Sequence, residues 1–192
     1  MTIANTASAK PGPAGRQART NAEDITYTTG KSDLGTILVA RSASGICAIL
    51  IGDEAEALKR DLAEEFPDAT PMREDETLRA DLDGILTFIK TPAKGLDLPL
   101  DIRGTPFQRR VWDALLGVRV GYKITYAALA TRIGEPGAVR AVANACAANA
   151  IALAIPCHRV VGSNGTLAGY RWGIERKRVI LAKEAEALAA LG

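Results

Sequence analysis

Two short helical stretches broken by Gly134-Glu135-Pro136-Gly137 restrict this chain's fold more than any other feature. Thr125 can cap the first, Tyr126 to Ile133, which Gly134 closes; the second runs from Ala138 to about Ala148. Short helices joined by a Gly/Pro turn form a helix-turn-helix. A longer helix precedes them. Thr105-Pro106-Phe107-Gln108 is a capping box with proline at the first helical position, and Phe107, Val111, Leu115, Trp112 and Leu116 form an apolar stripe ending at Gly117. A last helix, roughly Ile174 to Ala190, carries Glu184 near its apolar-to-polar boundary.

The N-terminal half reads differently. Residues 1–22 are rich in Ala, Thr, Gly and Pro and have almost no large apolar side chain, so a disordered tail is expected. From Ile25 the pattern turns to β. The apolar runs Gly35 to Arg41 and Gly45 to Ile51 flank a Ser-Ala-Ser-Gly turn and read as a hairpin. Helices are expected at about 53–66, with Leu58, Leu62 and Phe66 on one face, and at about 75–90. The segment 91–101, with two prolines and a glycine, reads as a linker. Domain boundaries follow at 23–90 and 102–192.

No run of about 18 uncharged apolar residues exists, which excludes a helical membrane span, and the N-terminus lacks the apolar core of a signal peptide. Three cysteines fit a reducing cytoplasm better than a disulfide framework. The net charge of +2 conceals a division. Residues 1–101 carry 11 Lys+Arg against 17 Asp+Glu, a net of −6; residues 102–192 carry 13 against 5, a net of +8. A basic half joined to an acidic one points to a polyanionic partner for the C-terminal part.

Chemistry concentrates in Ile155-Pro156-Cys157-His158-Arg159-Val160, where Cys157 adjoins the chain's single histidine. A thiol is a useful nucleophile only as thiolate, and a nearby base or a cation such as Arg159 raises that fraction. Adjacent side chains point apart, so a water between Cys157 and His158 would carry a proton better than direct contact. Taken alone, the dipeptide fits a buried cysteine beside a hydrogen-bonded histidine better, since a free cysteine is usually a small core hydrophobe. The second helix of the helix-turn-helix is unusual as a major-groove reader. Beyond Arg140 and Asn144 it offers small side chains, which suit close approach to a minor groove or burial within the protein. Cys146 is expected in the interior, and so is Cys47.

Pro156 to Val160, Arg140-Ala141-Val142, Asn149 and Gly169-Tyr170-Arg171-Trp172-Gly173 together resemble the O6-alkylguanine-DNA alkyltransferases, most closely over residues 102–187 and more weakly back to about Tyr27. The resemblance implies an α+β fold: an N-terminal ribonuclease-H-like α/β unit with a small sheet, then a mainly α-helical, winged-helix-like helix-turn-helix domain. It implies a monomer that acts on double-stranded DNA containing alkylated guanine, through the minor groove, without an obligate protein partner. Extrusion of the base is needed because a damaged base inside a duplex is out of reach of a thiol. Cys157 would take the alkyl group from guanine O6, or from O4-methylthymine, once only. His158 would act as base through a water, oriented by Glu184; Tyr126 would assist departure of the guanine.

Arg140, Tyr126, Thr125, Ala141 and Asn144 would bind DNA, with Arg140 entering the base stack. Asn149, Pro156, Arg159, Tyr170, Arg171 and Trp172 would form or brace the substrate pocket, and Trp172 would narrow its entrance against benzylated guanine. No cofactor is implied. Some members hold zinc in the N-terminal region, but Cys47 without histidines there cannot supply a tetrahedral site. The competing readings are a non-catalytic sensor of alkylated DNA, a cysteine hydrolase and a winged-helix regulator. Sensor relatives lack the cysteine that this chain has at position 157.

Overall fold

The computed structural model describes residues 24–69, 73–167 and 169–190. The tail expected at 1–22 lies outside them.

The N-terminal half is built on a sheet. Strands β1 (Thr26–Ser32), β2 (Gly35–Ser42) and β3 (Gly45–Gly52) form an antiparallel meander, and β4 (Arg73–Glu74) adds in parallel beside β1, giving the order β3-β2-β1-β4. The turn into β3 depends on Gly45, at φ +149°, where an added Cβ would come within 2.5 Å of the Pro99 carbonyl oxygen. Nearly every residue of β2 and β3 is buried. Helix α1 (Ala55–Glu65) lays Leu58 and Leu62 on β2 and β3. Helix α2 (Arg79–Lys90) brings Leu82, Ile85, Phe88 and Ile89 to β1 and β2. The helix expected at 75–90 begins as a 3₁₀ turn, Glu76–Leu78, because the Asp75 side chain accepts the Thr77 N–H and tightens the entry.

Residues 91–101 are more ordered than a plain linker. After a 3₁₀ turn, Pro92–Lys94, the chain runs along the free edge of β3: Ile46 N–H donates to Pro99 O (2.7 Å) and Asp101 N–H donates to Ile46 O (2.9 Å).

In the C-terminal half, α3 (Pro106–Leu116) has the full capping box between Thr105 and Gln108. Strand β5 (Ile124–Thr125) leads into α4 (Tyr126–Arg132), where Thr125 accepts the Ala128 N–H, and α5 (Val139–Ala147) follows the Gly134 turn. These three helices share a core of Val111, Trp112, Leu129, Val142 and Ala145, and the Trp112 indole donates to Ala145 O (2.9 Å). Strand β6 (Val160–Val161) pairs in parallel with β5, and α6 (Ile174–Ala189) closes the described chain. Among the described residues no helix is long and apolar enough to cross a membrane.

The two halves meet at the edge of β3. Ile49 N–H donates to Ala150 O and Ala152 N–H to Ile49 O, both at 3.0 Å. The turn that follows puts Leu153 at φ 67°, a conformation costing a non-glycine residue about 1–2 kcal/mol. Its side chain offsets that cost in an apolar hollow with Leu34, Phe88, Ile89 and Ile180. Pairing with β3 thus anchors the segment that delivers Cys157.

Candidate active site

Cys157–Arg159 forms a 3₁₀ turn whose side chains are all buried. The cysteine opens on a cavity of about 740 Å³. Its walls come from Tyr126 on α4, from Arg140, Ala143 and Asn144 on α5, and from the lid segment Gly169 to Arg171. One cavity therefore joins the thiol to the exposed face of the helix-turn-helix.

Asn149 braces this turn from behind. It is completely buried; its amide nitrogen donates to Ile155 O (3.0 Å), Ile151 O (3.3 Å) and the Cys157 sulfur (3.2 Å), and its oxygen accepts the Ile151 N–H (2.9 Å). It lies outside the cavity wall. Burial pushes the Cys157 thiol up to about 11, against the opposing pull of Asn149, Lys177 and Arg171. The resting thiol is therefore protonated at neutral pH.

His158 directs Nε2 at Glu184 Oε1, 2.9 Å away, while its buried Nδ1 has no hydrogen-bond partner among the described residues. A carboxylate at Nε2 favours the proton there and leaves Nδ1 as an acceptor. Burial lowers the imidazole below 6.5 despite Glu184, so His158 is neutral near pH 7.

The expected boundary position of Glu184 is corrected: the residue is fully buried, because α6 presents Lys177, Ile180 and Glu184 on one face to the core. Burial alone would raise its carboxyl. Hydrogen bonds from His158 and Arg159 outweigh that and hold it at about 2.

Arg159 is also placed differently from the expectation of a cation activating the thiol from the substrate pocket. Its guanidinium grips Glu184 (Nη2 to Oε1, 2.7 Å; Nε to Oε2, 3.0 Å) and donates to Val118 O. A buried arginine needs a counter-charge, and Glu184 is that counter-charge. The cations whose charge favours the Cys157 thiolate are Lys177 and Arg171.

Of the other expected residues, Tyr126, Arg140, Asn144, Tyr170 and Arg171 line the cavity, whereas Thr125, Ala141, Pro156 and Trp172 do not. Thr125 caps α4, Ala141 is exposed on α5, and Pro156 is buried beneath the turn. Trp172 does not stand in the entrance. Its buried ring packs edge-on against Tyr170, with centroids 5.2 Å apart, and borders hollows on the other side of the lid. It can affect the cavity through Tyr170 and through Arg171, whose guanidinium lies 5.8 Å from the centroid of its ring. Burial raises Tyr126 to about 12, so its hydroxyl keeps its proton and can donate it.

Two participants escaped the sequence reading. Cys146, expected in the interior, is buried but also lines the cavity. Lys177, with no exposed surface, donates to Val160 O (2.6 Å) and Gly169 O (3.2 Å), tying the lid to β6. Its position seven residues before Glu184, about two turns along the same helical face, was the available signal.

Comparison with known proteins places this geometry. Residues 106–186 match the 6-O-methylguanine DNA methyltransferase DNA binding domain, and residues 25–82 match the ribonuclease-like domain of the same enzymes. The chain is 45% identical over 177 residues to the bifunctional transcriptional activator/DNA repair enzyme Ada of Escherichia coli, covering 91% of this chain and 50% of Ada. It thus spans about half the length of that relative. It is 38% identical to the methylated-DNA–protein-cysteine methyltransferase of Saccharomyces cerevisiae, covering 67% of this chain and 70% of that one. The crystal structure of Mycobacterium tuberculosis OGT in complex with DNA superposes with a TM-score of 0.71 at 33% identity, covering 84% of this chain and 94% of that one. On the strength of both the shared fold and the matched sequence, the chain belongs to the 6-O-methylguanine DNA methyltransferase family.

Proposed function

We propose that this protein repairs alkylated DNA directly, moving the alkyl group, chiefly methyl, from guanine O6 to Cys157. The observation that carries the reading is the single cavity connecting the buried sulfur to Arg140 and Asn144 on the exposed face of α5. A thiol so buried meets a base only if the base leaves the helix, and α5, with its small side chains, suits close approach to a minor groove. In this reading the protein acts as a monomer in a reducing compartment, the cytoplasm. Arg140 occupies the space of the extruded nucleotide.

The chemistry is an in-line displacement. His158 Nδ1 takes the thiol proton through a water, Glu184 stabilises the resulting imidazolium, and the thiolate attacks the alkyl carbon. The S–C bond forms as the C–O6 bond breaks. The electron pair stays on guanine, whose departure Tyr126 assists by donating a hydrogen bond to the ring. The thiol's proton ends on the released guanine, so the step balances without a cofactor. The thioether product is stable, and each molecule acts once.

The test is incubation with O6-methylguanine duplex followed by mass mapping. One methyl is expected on the peptide containing Cys157, and a Cys157→Ala protein that still cleared the lesion would exclude the scheme.

A further inference from the structure

Arg171 stands where three parts of the molecule meet. Its guanidinium donates to Asn149 O (3.4 Å) on one side and to Glu65 Oε2 (2.8 Å) on the other. Glu65 is the last residue of α1, 106 positions earlier in the chain. Arg171 lines the Cys157 cavity and also an open groove of about 620 Å³, whose other wall carries Asp61, Glu64 and Glu65.

The two side chains are 28% and 30% exposed, so their ion pair adds little to stability. What Glu65 can supply is position. An arginine has a long rotatable stem, and a carboxylate at its far end restricts where the planar head lies. We propose that Glu65 is a positioning residue for alkyl transfer: it holds Arg171 against the Asn149 turn, and so sets the lid and the charge facing the Cys157 sulfur. The inference rests on the alkyl-transfer reading above.

The thiol is faced by Tyr126 of α4, Cys146 of α5, Tyr170 and Arg171 of the lid and Lys177 of α6, while His158 turns its Nε2 to Glu184. Lys177 is fixed by carbonyls within the C-terminal half, whereas Arg171, which also meets Asn149 O and the Trp172 ring, takes its carboxylate partner from the N-terminal half.

Full-length Glu65→Gln, Glu65→Asp and Glu64→Gln proteins test this. Three quantities are read: single-turnover methyl transfer from duplex, duplex affinity, and the pH midpoint of Cys157 labelling by iodoacetamide. Glu65→Gln should transfer about tenfold more slowly, the scale of a sub-ångström misplacement. Its duplex affinity should be unchanged or tighter, and its labelling midpoint should move upward. Glu65→Asp should restore most of the rate, and Glu64→Gln should move nothing. Wild-type rate in Glu65→Gln, or slow transfer with an unmoved midpoint, overturns the proposal. If the wild-type protein itself transfers no methyl, the alkyl-transfer reading fails, and the midpoint alone then decides whether Glu65 governs Arg171.

Discussion

At the scale of single residues, the site is governed by charges that burial has forced into partnership. Glu184 accepts from His158, Arg159 and the Gly121 N–H (3.3 Å), so removing its charge strands a buried guanidinium. Glu184→Gln should therefore cost about 3–5 kcal/mol of stability, read by denaturant unfolding, and should abolish methyl transfer. A smaller effect on unfolding would show that Arg159 finds another partner. Protonation of the thiol gives a second prediction. The Cys157 value is raised by folding to about 11, so the neutral thiol stabilises the native state fully below pH 9, and that stability is lost as pH rises through 11. The amount is on the order of 2–3 kcal/mol. A methylated sulfur has no proton to lose, so methylated protein should lack this alkaline decline. His158 runs the other way. Its lowered value means stability is complete above pH 6.5 and falls as the pH drops below it.

Among the elements, α5 and the edge of β3 divide the labour of bringing DNA and thiol together. Arg140 is exposed at the cavity mouth. Arg140→Ala should slow repair of duplex by about tenfold or more while leaving transfer from free O6-methylguanine base nearly intact, since the few kcal/mol of unstacking arise only in the duplex. Equal loss on both substrates would contradict insertion. The helices of the C-terminal half could be read from the sequence to within one or two residues, because Thr105, Gln108, Thr125 and Gly134 act locally on neighbouring amides. The pairing of Ile49 with residues 150–152 could not, since no local pattern encodes a register between segments 100 positions apart. The same reason hid Glu65. The ligands of Glu184 were half legible: the family resemblance implied His158, but burial of α6 on that face, which recruits Arg159, emerges only from packing.

For the molecule as a whole, the division of charge orients it. The C-terminal half, with its excess of basic residues, presents α5, while the acidic α1 flanks the lid from the other side. Duplex affinity should fall steeply and linearly on a log–log plot as salt rises, with a slope set by the phosphates neutralised, whereas transfer to Cys157 from the free base should be nearly insensitive to salt. A weak salt dependence of duplex binding would remove the basic half from the interface. The most direct test of the central claim is the mass of the Cys157 peptide after incubation with a stoichiometric O6-methylguanine duplex. A gain of one methyl on that peptide, with unmodified guanine restored in the DNA and no second turnover, is the predicted result; cleared lesion with an unmodified Cys157 would contradict it.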